Sequence, residues 1–182
     1  MIENTVTAGA RIRDAADKDI GAVQRIYAEA VATGLASFEE APPDTAEMAR
    51  RRRAVIRKGL PYLVAEADGR IEGFAYAAPY RSRSAYRYTL EDSVYVGDDA
   101  RGRGLGLALL EAVIARAETL GYRQMIAVIG DSGNAASIRL HEKLGFALVG
   151  AIRSVGFKHG RWVDSVIMQR RLGGGDATPP AS

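Results

Sequence analysis

An α/β chain, more strictly α+β, is predicted by three features of these 182 residues: one domain with a mixed, mostly antiparallel sheet flanked by helices. The first is a change of period, from helical spacing of apolar residues before Pro61 to strand alternation from Tyr62 onward. The second is a continuously apolar run, Met125 to Ile129, of the kind buried on both faces of a sheet. The third is the order of elements: strand, two helices, three strands, helix, strand, helix, two strands. Hairpins come first and helical crossovers flank the apolar strand, which asks for a mixed sheet.

Residues 1–9 are polar and unpatterned and are expected to be disordered; the domain is expected to span 10–172. Ala10 to Arg13 is a short strand. Asp17 is placed to cap a helix carrying Ile20, Val23, Ile26, Tyr27, Ala30 and Val31 on one face, and Gly34 ends it. Leu35 to Pro43 is a loop, after which Asp44 with Glu47 three residues on starts a second helix that runs to about Lys58. Tyr62 to Ala67 and Ile71 to Ala78 form a hairpin through Asp68-Gly69. Pro79 to Arg87 is a basic, aromatic loop and Tyr88 to Val96 the next strand. A helix from Leu105 to Gly121, the strand Met125 to Ile129 and a helix from Asn134 to Leu144 follow. Phe146 to Val155 and Trp162 to Gln169 close the domain around a turn at Lys158-His159-Gly160-Arg161. The tail, 173–182, is too poor in apolar side chains to pack and is expected to be disordered.

Composition excludes several classes. With 47% hydrophobic and 26% charged residues the chain is of globular type, and its apolar runs fall short of the roughly 20 residues of a membrane span. The start, MIENTVTAGARIRD, lacks the apolar core of a secretory signal, so a cytoplasmic protein without membrane partners is expected. There is no cysteine, which removes disulfides, thiolate metal sites and thiol nucleophiles; the two histidines, His141 and His159, have no zinc-like pairing, so no metal is expected. Arginines cluster at 50–53, 81–87 and 101–103, but the aromatic interleaving of an RNA-binding sheet is missing and no nucleic acid is expected.

The informative stretch is Glu91 to Gly106, EDSVYVGDDARGRGLG. An alternating strand gives way to Arg101-Gly102-Arg103-Gly104-Leu105-Gly106, which opens straight into a helix. Glycines let the backbone approach a ligand, and the helix start leaves amide donors unpaired at the positive end of a dipole. With two arginines beside it, this is a cradle for a diphosphate. It lacks the Lys-Ser/Thr of a nucleotide-triphosphate loop, and its G-x-G-x-G spacing past mid-chain is not a dinucleotide fingerprint. A flexible glycine-rich connection is the plain alternative.

Arg101-x-x-Gly104-x-Gly106 after an apolar strand resembles the acyl-coenzyme A loop of the GCN5-related N-acetyltransferase (GNAT) superfamily, whose element order is matched from Ala10 to about Leu172. Within it the chain resembles the phosphinothricin and methionine sulfoximine/sulfone acetyltransferases. The likeness is carried by Ser37-Phe38-Glu39, Pro61 to Glu66, Pro79 to Arg83, Ala85-Tyr86-Arg87, Ser93 to Val96, Ile126 to Gly130, Ser137 to Glu142 and Gly156 to Trp162.

That resemblance implies a GNAT fold, acetyl-CoA as co-substrate, direct transfer in a ternary complex to the α-amino group of a small amino-acid-like acceptor, and a homodimer. It implies coenzyme contacts for Val94, Tyr95, Val96, Arg101, Gly102, Arg103, Gly104, Leu105, Gly106, Leu107, Asn134 and Ser137, with main-chain N–H groups of 94–96 polarising the thioester carbonyl. Glu91 is the implied general base, although a strand glutamate can equally be solvated. Asp92 is its neighbour and rival, and strand alternation puts the two on opposite faces, so only one should see the cleft. His141 stands where many superfamily members have an acidic tyrosine; imidazole near pKa 6.5 could protonate a thiolate, act as base or merely make a structural bond.

For the acceptor, the resemblance implies Arg81, Ser82 and Arg83 as contacts. Guanidinium forks suit carboxylate or phosphinate oxygens, with Phe38 and Tyr86 as apolar wall and aromatic lid. The arginine loop could instead be surface, Tyr95 and Trp162 could be packing, and Asn134 a helix cap. Two other readings stay open: transfer to another amine, such as a protein N-terminus, polyamine or antibiotic, and an acyl-CoA sensor without turnover.

Overall fold

The change of period at Pro61 separates a helical pair from a strand hairpin. The computed structural model describes residues 6–7 and 9–180. Its strands are β1 (Val6–Thr7), β2 (Ala10–Asp14), β3 (Tyr62–Ala67), β4 (Arg70–Pro79), β5 (Thr89–Val96), β6 (Gln124–Gly130), β7 (Ala147–Lys158) and β8 (Arg161–Arg171). The helices are α1 (Ile20–Thr33), α2 (Thr45–Ile56), α3 (Leu105–Thr119) and α4 (Ala135–Lys143). The strands form one sheet in the order β1-β2-β3-β4-β5-β6-β8-β7, with β5 and β6 parallel and the other pairs antiparallel. This is the mixed, mostly antiparallel sheet that the element order predicts.

Local signals act where expected. Asp68 and Gly69 both take positive φ, 50° and 73°, and turn β3 into β4. Asp44 caps α2, its Oδ1 accepting the Glu47 N–H at 2.7 Å. Asp17 does not cap α1: it lies in a 3-10 turn, and its carboxylate takes Arg52 at 2.6 Å. Asp19, at the N-cap position of α1, makes no side-chain cap bond either: it accepts the Ala16 N–H at 2.7 Å, ahead of the helix, while Arg13 donates to both its oxygens at 2.6 and 2.9 Å.

The two ends gain partners that composition does not reveal. Of the segments 1–9 and 173–182, residues 1–5, 8, 181 and 182 lie outside the described residues. Thr7 pairs with Ala10 and Val6 with Arg11. Arg123 donates to the carbonyls of Gly175 and Thr178 at 2.6 and 2.7 Å, fastening the start of the tail beside β6.

Alternation along β5 sorts its side chains between two layers. Tyr95 meets Tyr27 of α1 edge-on, with centroids 5.0 Å apart, and stacks on Phe74. Val94 and Val96 point the other way, toward Gly106 at the start of α3. Helix α3 buries Leu105, Leu109, Leu110 and Val113 completely or nearly so, fixing its first turn against the strand.

Between β5 and β6 the sheet is incomplete. Residue pairs run Thr89↔Gln124, Leu90↔Met125 and Glu91↔Ile126 and then stop, while β4 keeps β5 to Val96 and β8 keeps β6 to Gly130. Met125, Ala127 and Ile129 are buried as predicted, but Val128, paired to β8 on one side only, borders this opening on the other and is 37% exposed.

Candidate active site

The opening is a cavity of about 260 Å³ bordered by β5, β6 and the start of α4. Glu91 stands where the strands part, half-buried at the mouth. Burial raises its carboxyl pKa above the ordinary range, the adjacent Asp92 charge adds to this, and Arg81 opposes it. A carboxylate so placed holds a proton more readily than one in water, which suits a base for an ammonium group. A larger groove of about 870 Å³ lies elsewhere, and its walls include neither Glu91 nor the glycine turn.

Asp92 and Glu91 leave opposite faces of β5, as alternation requires, yet both line the cavity. The expectation that only one would see the cleft fails because no neighbouring strand divides the two faces here. Asp92 is buried and its Oδ2 lies 3.0 Å from His141 Nε2, while His141 Nδ1 lies 2.7 Å from the Ser137 carbonyl. Both ring nitrogens thus face acceptors, an arrangement that the imidazolium satisfies at both ends. Burial disfavours that cation, but Asp92 and the Ser137 carbonyl outweigh it and leave the His141 pKa raised. His141 is therefore buried against Asp92, and the partner's other oxygen, Oδ1, has no hydrogen bond among the described residues.

The glycine turn has the backbone its sequence calls for. Gly102 and Gly104 take φ of 76° and 81°, and Gly104 is the N-cap of α3 without any side-chain cap. The N–H groups of Leu105, Gly106 and Leu107 thus begin the helix with no intrahelical acceptor. The two arginines are less free than their sequence implies: Arg101 is paired with Asp98, and Arg103 reaches Glu72 at 2.7 Å. Both remain substantially exposed. At α4, Asn134 is indeed a cap, its Oδ1 accepting the Ser137 N–H at 3.2 Å, and both residues also line the cavity. Val94 and Tyr95 line it too. Bare amides at a helix start, positive-φ glycines and a strand edge left without a partner fit a thioester carrying a diphosphate: the first two could hold the anion and the third could meet the extended arm.

A second, more open hollow of about 610 Å³ adjoins Glu91 and is walled by Phe38, Tyr80, Arg81, Val128 and the β7 residues Ile152, Val155, Gly156 and Phe157. Phe38 and Arg81 are thus brought to one groove beside the carboxylate. Ser82, Arg83 and Tyr86 are exposed and do not line it, because the chain bends into a 3-10 turn at Ser84–Tyr86. Tyr86 approaches the groove only through Tyr80, edge-on at 5.9 Å, and Arg81 lies over the Tyr80 ring.

Sequence reasoning missed Asp92 as the partner of His141, and it missed the fastening of the loop around Phe38. The quoted Gly156-Phe157-Lys158 segment holds the signal for the second: a lysine and a glycine in an apolar strand. Among the described residues no cluster of three His, Asp or Glu side chains could hold a metal ion, and no helix is long and apolar enough to cross a membrane.

Residues 15–146 match the family model described as Acetyltransferase (GNAT) family. The chain belongs to that family. Its fold, a mixed sheet with helices, is that of a GNAT acetyltransferase, as the sequence leads one to expect. This GNAT chain is 56% identical over 169 residues to a phosphinothricin N-acetyltransferase of Alcaligenes faecalis, covering 93% of this chain and 86% of that one. It is 45% identical over 164 residues to an L-methionine sulfoximine/L-methionine sulfone acetyltransferase of Pseudomonas paraeruginosa, covering 90% and 95%. Among solved structures, a GNAT superfamily phosphinothricin acetyltransferase from Sinorhizobium meliloti in complex with AcCoA superposes with a TM-score of 0.93 at 47% identity, covering 96% of this chain and 94% of that one.

Proposed function

We propose that the chain is a cytoplasmic, homodimeric enzyme that moves the acetyl group of acetyl-CoA to the α-amino group of a small amino acid of the phosphinothricin or methionine sulfoximine/sulfone type. The observation that carries this reading is the parting of β5 from β6 directly after Glu91, with the bare first turn of α3 beside the same strand. Relatives that act on such acceptors share most of the chain's length.

In this reading the amides of Leu105, Gly106 and Leu107, with Gly102 and Gly104, hold the diphosphate, and Arg101 and Arg103 exchange their own acids for it. The β5 edge at Val94 to Val96 supplies main-chain donors to the thioester carbonyl, which gains negative charge as the amine attacks. Glu91 takes a proton from the acceptor ammonium, directly or through water, and frees its lone pair. Asp92 and His141 hold a proton behind the cleft, where the departing thiolate needs one. Arg81 binds an acceptor oxyanion and Phe38 packs on its apolar stem; Ser82, Arg83 and Tyr86 extend this loop. The lack of cysteine, and so of a thiol to carry a covalent acetyl group, agrees with direct attack.

Thiol release from acetyl-CoA, measured with phosphinothricin, methionine sulfone and methionine sulfoximine as acceptors, tests the reading. Turnover with one or more of them, lost in Glu91→Gln while coenzyme still binds, is the expected result. Coenzyme binding with every such amine ignored would replace the reading with that of an acyl-CoA sensor.

A further inference from the structure

The segment from Leu35 to Glu40 is held against the rest of the molecule from three sides. Lys158, only 2% exposed at the end of β7, donates its ammonium to the Ser37 carbonyl at 2.8 Å. Ser37 Oγ meets the Tyr27 hydroxyl at 3.1 Å, and Tyr27 in turn donates to Glu39 at 2.9 Å. Arg51 of α2 completes the frame, reaching Glu39 at 2.6 Å. A buried ammonium is costly to desolvate, and burial here lowers the Lys158 pKa. The sequence retains one at a place where its role is to grip a carbonyl.

Two glycines let the segment come this close. A Cβ on Gly130 would overlap the Leu35 carbonyl oxygen and stand 3.0 Å from that of Ala36. A Cβ on Gly156 would overlap Cδ1 and Cε1 of the Phe38 ring and stand 3.3 Å from Cζ. The Phe38 ring therefore lies in the notch that Gly156 leaves in β7. That notch is itself shaped by an irregularity, since the register of β7 against β8 shifts between Ile152 and Gly156. Ser154 there takes a φ of 49°, with its N–H bonded to Asp164 at 2.9 Å. Bulges of this sort bend a strand and re-aim what stands on it.

We propose that Gly156 and Lys158 are specificity-determining positioning residues, which together seat Phe38 as the wall of the acceptor groove beside Glu91. The inference rests on the functional reading above and deepens it: the groove takes an amino acid whose apolar stem lies on Phe38 while its polar end meets Arg81. Neither positioning residue need touch the acceptor. Their effect passes through the ring, so it falls on acceptor binding and not on coenzyme binding.

The test is steady-state kinetics at saturating acetyl-CoA with the acceptor that wild type turns over best, on Gly156→Ala, Lys158→Met, Phe38→Ala and the double variant Phe38→Ala/Gly156→Ala. Gly156→Ala forces the ring out of its notch and raises acceptor KM about tenfold or more, the scale of a misplaced apolar contact, with the KM for acetyl-CoA unchanged. Lys158→Met moves acceptor KM in the same direction. In the Phe38→Ala background the added methyl has nothing to displace, so the double variant matches Phe38→Ala alone. Wild-type acceptor KM in both Gly156→Ala and Lys158→Met, or a full Gly156→Ala effect persisting without the Phe38 ring, overturns the inference and leaves the functional reading standing. A wild type that turns over no amino-acid acceptor overturns both. Should Gly156→Ala not fold, Lys158→Met and Phe38→Ala decide: equal acceptor KM values, raised above wild type, support the seat, and a wild-type value in Lys158→Met overturns it.

Discussion

His141 Nε2 lies 3.0 Å from Asp92 Oδ2, with both side chains out of solvent at the inner wall of the cleft. The carboxylate outweighs burial and leaves the His141 pKa raised. Asp92→Asn retains an acceptor of the same shape but removes the charge, so the His141 pKa falls from its raised value to or below the ordinary imidazole value of about 6.5. Proton NMR of the His141 imidazole signals against pH checks this, and the sequence holds only two histidines to assign. An unmoved His141 curve would mean that the pairing does not govern its charge.

Glu91→Gln removes the proposed base at the mouth of the cleft. A fall in kcat of about 100- to 10,000-fold is expected, the usual range for a lost general base, with acetyl-CoA affinity retained. Because burial and Asp92 raise the Glu91 pKa, wild-type kcat/KM falls as the solution is acidified through a value above the ordinary carboxylate range. That acid limb is absent from whatever activity the variant keeps.

The glycine turn predicts a different signature. Gly104→Ala places a Cβ at φ 81°, a strain of about 1 kcal/mol that the free turn relaxes and the ligand must restore. KM for acetyl-CoA rises about fivefold by that strain alone, while acceptor KM is unaffected. Isothermal titration with coenzyme A reads the same change without turnover.

Stability depends on Asp19, which Arg13 and the Ala16 N–H hold and whose pKa is thereby lowered despite burial. Its contribution is present above the ordinary aspartate value of about 3.9 and is lost as pH falls through the lower folded value. Asp19→Ala leaves Arg13 without a partner it grips twice and costs about 3 kcal/mol near neutrality. Urea midpoints of wild type and variant should draw together below about pH 4.

The proposed dimer has an obvious surface to use. Leu148, Val149 and Trp162 are 65%, 61% and 65% exposed on β7 and β8, apolar side chains that a second copy would cover. Leu148→Glu or Trp162→Glu should turn a sedimenting dimer into monomer; a wild type that sediments as monomer removes the proposal.

What the sequence made legible was local. The Asp44 cap, the Asp68-Gly69 turn and the glycine turn before α3 each join residues within a few positions, where the chemistry of single side chains decides the backbone. The element order then restricts the sheet to few topologies, and the family resemblance selects one. What stayed hidden spans long separations: His141 and Asp92 are 49 positions apart, Lys158 and Ser37 121. Nothing in a lysine's neighbours along the chain announces a carbonyl from the other end of the domain. Asp17 marks the same limit at close range, because Arg52, on another element, takes the carboxylate that local sequence assigns to capping α1.

Only three residue pairs join β5 to β6, so the sheet is nearly two sheets sharing a short hinge. An extended arm lying in the gap would complete the missing rungs, and the guest would then act as a structural member while it waits to react. On that account coenzyme matters for more than rate: bound there, it would add to the stability of the fold and to its resistance to proteolysis.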